Sequence, residues 1–198
     1  MTMAFDATTD ASDDDLLAAY AGGDRLAARL LSDRLLPRVL GYATRLLGGD
    51  RAEAEDVAQE AMLRLWRIAP DWRRGEARVT TWLYRVVTNL CTDRLRSGRR
   101  RAAPMGDDLP DMPDDSPGAE ARMVQAARLA ALDAALAALP DRQREAVVLR
   151  HIEGLSNPEI AAVMGIGVEA VESLTARGKR ALTVALQGRR DGLGYEES

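Results

Sequence analysis

Apolar residues in this chain recur at intervals of three and four, with Ala and Leu dominant and β-branched runs short, and the pattern lapses over one long stretch only, residues 97–119. Spacing of three and four lines one face of an α-helix, whereas strands need alternation. The pattern predicts an all-α fold. In the lapse, Gly98, Pro104, Gly106, Pro110, Pro113, Pro117 and Gly118 punctuate a stretch whose later part is acidic, the composition of a flexible linker. At 198 residues the chain suits one ordinary domain or two small ones. Its organisation reads as a tail over 1–13, a small helical domain over 14–97, a flexible acidic linker over 98–119, a second small helical domain over 120–187 and a tail over 188–198. No longer-period internal repeat is visible.

Local signals divide the domains into helices. Asp13 or Asp14 can cap a helix over 15–20, and Gly22-Gly23 separates it from a second helix over 24–47, inside which Pro37 predicts a kink or a boundary. Gly48-Gly49-Asp50 ends that helix, and a third runs over 52–68 to a stop at Pro70. Thr80 or Thr81 can cap a fourth that reaches Leu95. Beyond the linker, helical spacing resumes at Ala119 and breaks at Pro140, followed by helices over 141–152, 158–164 and 168–186.

Charge is segregated along the chain. The formal net charge is −4, yet residues 61–101 carry eleven Arg against three acids, a local balance of +8, and residues 102–120 carry six acids and no base. A basic block inside an acidic protein is the footprint of a polyanion site, because neutralising phosphates and releasing their counterions supplies most non-specific nucleic-acid affinity. An Arg-rich solvated helix face is the plainer reading. A single Cys (Cys91) and a single His (His151) leave no disulfide, no redox pair and too few ligands for a Cys/His zinc site. No metal or other cofactor is expected. No apolar stretch reaches the length of a membrane span, and the acidic N-terminus lacks the basic start and apolar core of a signal peptide. The expectation is a soluble cytoplasmic protein without membrane insertion.

Residues 156–171, SNPEIAAVMGIGVEAV, have the layout of a helix-turn-helix. Ser156 or Asn157 can cap, Pro158 suits a first turn where its missing N–H costs nothing, and Gly165 permits the turn. Ile160, Ala161, Val163 and Met164 face inward, and Ile166 fills the space between helices. On the last helix Val171, Leu174 and Gly178 share the packing side, while Glu169, Glu172, Ser173, Ala176 and Arg177 share the open side. Set in a major groove, the open side would meet base edges and phosphates. Glu172 would be repelled by phosphate but can accept from a cytosine amino group, and Arg177, Lys179 and Arg180 restore positive charge. The same hairpin occurs in bundles that bind nothing.

Upstream, residues 53–66 form an amphipathic helix with Val57, Ala61 and Leu65 on one stripe and Asp56, Gln59, Glu60 and Leu63 on another. That second stripe could meet Arg residues of a partner protein or serve as a solvated face. The loop 70–78 mixes Trp72 with Arg73, Arg74 and Arg78, and the following helix brings Trp82, Arg85 and Asn89. Rings interleaved with Arg suit unpaired bases, which stack on aromatics whatever their sequence while Arg holds the backbone. The alternative makes Trp72 or Trp82 a core anchor.

Together, Asp56-Val57-Ala58-Gln59-Glu60, Thr81-Trp82-Leu83-Tyr84-Arg85 with Asn89, Leu139-Pro140-Asp141-Arg142-Gln143-Arg144 and the hairpin over 156–182 resemble a bacterial sigma factor of the extracytoplasmic-function (ECF) group. The resemblance covers about 14–186, in motif order, spacing and intervening linker. It implies a dissociable promoter-specificity subunit of RNA polymerase with two domains, sigma regions 2 and 4. By position, Asp56, Gln59, Glu60 and Leu63 would dock on the core polymerase clamp. Arg64, Trp72, Arg73, Arg74, Trp82, Arg85 and Asn89 would open the minus-10 element and hold a flipped base. Glu169, Glu172, Ser173, Ala176, Arg177 and Arg180 would read minus-35 duplex DNA, and the acidic linker would run towards the RNA exit path. An anti-sigma factor is the further partner implied. Two departures stand out: Trp72-Arg73-Arg74-Gly75-Glu76 contains an additional Arg, and Glu172 stands where a basic residue is common.

An enzyme is not expected, since no Gly-rich phosphate loop occurs and His151 has no nucleophile beside it. His151 reads as a helix-end residue and Cys91 as a buried one, with redox sensing its alternative. The competing functional reading is a sigma-like decoy that sequesters an anti-sigma factor without initiating transcription, for which an eroded clamp-facing surface would be expected. A simple helix-turn-helix repressor would leave the Trp/Arg loop and the acidic linker without a purpose.

Overall fold

The computed structural model describes residues 11–101 and 119–190; both expected tails lie largely, and the expected linker mostly, outside the described residues. Among the described residues all regular structure is helical. The front unit comprises α1 (Asp13–Ala21), α2 (Arg25–Leu46), α3 (Arg51–Ile68), a 3-10 turn (Ala69–Asp71) and α4 (Val79–Arg101). The rear unit comprises α5 (Ala119–Ala137), α6 (Asp141–His151), α7 (Asn157–Met164) and α8 (Val168–Arg190).

Short polar side chains set the helix starts. Ser12, rather than the expected Asp13 or Asp14, caps α1, accepting from Asp15 N–H at 3.2 Å while its hydroxyl donates to the Asp15 carboxylate at 2.6 Å. Asp24 caps α2 and Asp50 caps α3. Each satisfies backbone N–H groups that a helix start leaves unpaired, worth about 1 kcal/mol apiece. Gly48 and Gly49, with φ of +70° and +99°, take the left-handed conformations that turn the chain from α2 into α3.

Three boundaries differ from the local signals. Pro37 neither ends nor divides α2, which is continuous over 22 residues. Pro37 is exposed, so water can reach the carbonyl that lost its donor, while buried Leu31, Leu35, Val39 and Tyr42 hold the helix on the other side. Helix α4 starts before Thr80 and Thr81: Val79 is fully buried, Thr81 lies inside the first turn, and the Arg78 carbonyl accepts from Trp82 N–H at 3.0 Å. Helix α4 also continues past the expected end at Leu95 and into the segment assigned to the linker.

The front core is formed where α2, α3 and α4 meet. Val57, Ala61 and Leu65 of α3 are fully buried with Leu83 and Val87 of α4, and the buried Tyr42 hydroxyl shares a 2.8 Å hydrogen bond with Thr88 Oγ1. Tyr42 and Tyr84 meet edge to face, ring centres 5.0 Å apart. In the rear unit α6 lies along α8, and Val148, Leu149, Ile160 and Val171 are buried between helices. The Leu139–Arg144 motif acts as a corner. Pro140 stops α5, and the buried Arg144 donates to Asp141 at 2.8 Å and to the Ala137 carbonyl at 3.3 Å, using the carbonyls that a helix end leaves open.

The two units touch. Helix α7 packs on α4, α2 meets α5 and α6, and the buried apolar residues form one continuous cluster. Glu145 of α6 lies within that packing, 5% exposed and 3.1 Å from Arg142, with burial pushing its carboxyl above the usual range.

Candidate nucleic-acid interface

Helix α3 separates its two stripes as the spacing requires. Asp56, Gln59 and Leu63 are exposed, and Glu60 is half-buried. Arg64, which the resemblance assigns to DNA, lies one turn on and donates to Glu60 at 2.8 Å. That hydrogen bond holds the Glu60 carboxyl below its ordinary range. Gln59 and Leu63 also line an apolar groove of about 420 Å³ closed on its far side by Ser32, Leu36 and Leu40 of α2, with Met62 and Trp66 along its floor. Leu36 and Leu63 are each 42% exposed there. The Ser32-Leu36-Leu40 spacing, one turn per step, is the sequence signal for this α2 wall, and Pro37, lying within it, carries the opposite, helix-breaking signal.

The loop after the 3-10 turn is tied to α1. Trp72 is half-buried and its indole N–H donates to Asp14 at 2.8 Å, while Arg74 donates to Asp15 at 2.7 Å. Asp15 is held below its ordinary range by the Ser12 hydroxyl and then by Arg74. Arg73 is exposed and sits 3.5 Å from Glu76. Trp72 meets Trp82 edge to face, ring centres 6.0 Å apart, and both pack against the core while keeping part of each ring at the surface. Both rings are therefore anchors as well as surface. Asp14 and Asp15 were missed because nothing local connects a helix start to a loop nearly sixty residues later.

Along α4 the outward stripe continues from Trp82 through exposed Arg85 and Asn89 to exposed Arg96. Val79, Leu83, Tyr84, Val87, Thr88 and Cys91 occupy the opposite, buried side. The structure thus brings Trp72 and Trp82 together at the junction of the loop and α4, with Arg73 and Arg74 in the same loop, while Arg85 and Asn89 follow about one and two turns further along the exposed side of α4 and Arg64 lies on α3. A ring pair set among guanidinium groups is suited to stack unpaired bases and neutralise their phosphates.

In the rear unit Ser156 caps α7, with its N–H and its hydroxyl both donating to Glu159, at 2.8 and 2.6 Å. Gly165 adopts φ +64° at the end of α7, which any other side chain would take with strain, and Ile166 sits half-buried between α7 and α8. On α8, Val171 and Gly178 are buried, and Glu169, Glu172, Ser173, Ala176, Arg177 and Arg180 are all exposed on the open side. Two of these are already oriented: Asn157 donates to Glu172 at 3.3 Å, and Arg177 donates to Ser173 Oγ at 3.0 Å. Among the described residues no helix is long and apolar enough to cross a membrane.

Known proteins share this plan. Residues 31–101 match the family described as Sigma-70 region 2, and residues 129–182 match the one described as Sigma-70, region 4. The ECF RNA polymerase sigma factor SigE of Mycolicibacterium smegmatis is 37% identical over 183 residues, which cover 91% of this chain and 65% of that protein. The ECF RNA polymerase sigma factor SigM of Mycobacterium tuberculosis (strain H37Rv) is 37% identical over 171 residues, covering 86% of this chain and 83% of the relative. A solved structure of CnrH in complex with the cytosolic domain of CnrY superposes with a TM-score of 0.64 at 27% identity, over 90% of this chain and 99% of that one. Matched in both regions and along most of its length, the chain belongs to the sigma-70 family of RNA polymerase sigma factors, in its extracytoplasmic-function group.

Proposed function

We propose that the chain directs promoter-specific initiation by docking on core RNA polymerase, reading minus-35 duplex DNA with α8 and melting and capturing the minus-10 element at the Trp72/Trp82 corner. The observation that carries this reading is that one chain presents three unlike surfaces together: the acidic and apolar face of α3, the ring-and-guanidinium corner, and the open side of a helix-turn-helix. Asp56, Gln59, Glu60 and Leu63 are the polymerase contacts. Unpairing a few base pairs costs a few kcal/mol, and stacking of freed bases at about 1–3 kcal/mol each, added to phosphate contacts, offsets it without nucleotide hydrolysis. The groove between α2 and α3 is an apolar surface that an anti-sigma factor would occlude. CnrH, solved with the cytosolic domain of CnrY, supports a partner of that kind. The chain would act in the cytoplasm, where polymerase is.

Run-off transcription with purified core polymerase on a genomic promoter library tests the assignment. Initiation above core alone is expected, lost in Trp82→Ala with Arg85→Ala and reduced by Asp56→Ala with Gln59→Ala. No initiation above core would reject it and turn the assignment to the decoy.

A further inference from the structure

Resting on that reading, the two DNA-facing units must stand far apart at a promoter. Elements about 25 base pairs apart are separated by roughly 85 Å at 3.4 Å per pair, whereas a compact chain of this size has a radius of gyration of roughly 15 Å. In the structure the units are in contact, and the contact has a polarity: the rear unit contributes carboxylates, the front unit arginines and a tyrosine. Glu153, after α6, has a side chain only 6% exposed; it accepts from the Tyr84 hydroxyl of α4 and lies 3.7 Å from Arg38 Nε of α2. Arg38 also donates to the Glu153 carbonyl at 3.4 Å, and its guanidinium lies 5.9 Å from the centre of the Tyr84 ring. On either side of this cluster, Arg78 meets Glu159 at 3.2 Å and Arg45 meets Asp133 at 3.3 Å.

A carboxylate withdrawn from water to this extent is tolerated only while its partners are in place, so such a group fixes register and makes a contact all-or-none more than it strengthens it. Neither DNA face is covered by the contact: Arg85, Asn89, Glu172 and Arg177 remain exposed. The closed arrangement therefore leaves each reader accessible and denies the pair its span. We propose that Glu153, clasped by Tyr84 and Arg38, is a latch that holds the two units closed in the free protein, and that its release is required before the chain can span a promoter.

Spin labels on Ala52→Cys of α3 and Val184→Cys of α8, both exposed positions, report the separation in the full chain by pulsed electron resonance. One narrow short distance is expected in the parent. Tyr84→Phe and Glu153→Gln should each add a broad population at longer distance and lower the protein concentration for half-maximal initiation with core polymerase by roughly five- to tenfold, as the competent fraction rises. Since Glu153 variants risk a local loss of packing, the outer pair supplies a second arm: Asp133→Arg should open the protein, and Arg45→Glu with Asp133→Arg should close it again. A broad parent distribution, or a narrow one unmoved by every variant, would overturn the latch. The expected distances without initiation by any form would overturn the promoter reading and its spanning requirement while leaving closure established.

Discussion

Gly178 of α8 lies against Val147 of α6 so closely that a Cβ on Gly178 would come within 2.6 Å of Val147 Cγ2 and 3.1 Å of the Gln143 carbonyl oxygen. Alanine is the better helix former by about 1 kcal/mol, but overpacking at a helix crossing costs about 1–3 kcal/mol. Gly178→Ala is expected to destabilise the rear unit, with a lower urea midpoint. Val147→Ala in the same chain should recover part of the loss and no more, because the Gln143 backbone cannot yield as a side chain can. A neutral or stabilising Gly178→Ala would show that α6 and α8 are not in such close contact.

Glu145 links acidity to stability in the direction opposite to most carboxylates. Burial raises its pKa above the ordinary 4.5, with Arg142 opposing. A carboxyl whose folded pKa is raised contributes stability that is complete below its unfolded value and is lost as pH rises through the folded one. Glu145→Gln, neutral at every pH, should therefore melt higher than the parent at neutral pH. The two melting curves should converge near about pH 4, where the parent carboxyl is itself neutral. Equal melting temperatures throughout would mean that the Arg142 pair compensates fully.

Cys91 is 1% exposed and burial pushes its thiol up to about 12. Since the thiolate is the reacting species, the native protein should scarcely react with a disulfide reagent at neutral pH and should release one equivalent of reactive thiol on unfolding in guanidinium. Rapid reaction in the native state would revive the redox-sensing alternative.

Asp14 steadies the ring corner through the Trp72 indole. Asp14→Ala should shift the Trp72 indole N–H resonance towards that of free indole and lower stability by about 1 kcal/mol, the usual net worth of such a bond. Asp14→Asn keeps an acceptor oxygen and should retain most of both. If the promoter assignment holds, Asp14→Ala should also weaken binding of single-stranded minus-10 DNA while leaving polymerase binding intact.

What could be read from the sequence divides along chain distance. The buried and exposed stripes of α3, the open side of α8 and the Gly165 turn all depend on spacings of three, four or a single glycine, and each lies where those spacings put it. Pro37 and Thr80/Thr81 misled because a local preference of about 1–3 kcal/mol was outweighed by burial of Leu35, Val39 and Val79 on the other side of the same helices. The partners of Trp72, Arg74 and Glu153 had no local signature. Asp14 and Trp72 are 58 positions apart and Arg38 and Glu153 115, so only the packed chain brings them together. The contact roles of the exposed residues came from family resemblance and not from periodicity, which shows only that they face outward.

The start of α7 carries one more implication. Glu159 is shared between Arg78 across the seam and Ser156 within its own helix, and the Ser156 hydrogen bonds are the larger reason its pKa is depressed. When the seam parts, the arginine leaves but the serine stays, so the helix-turn-helix loses a neighbour without losing the group that organises its first turn. Opening at Glu153 would then move α7 as a finished element, its first turn still held by the Ser156–Glu159 capping box.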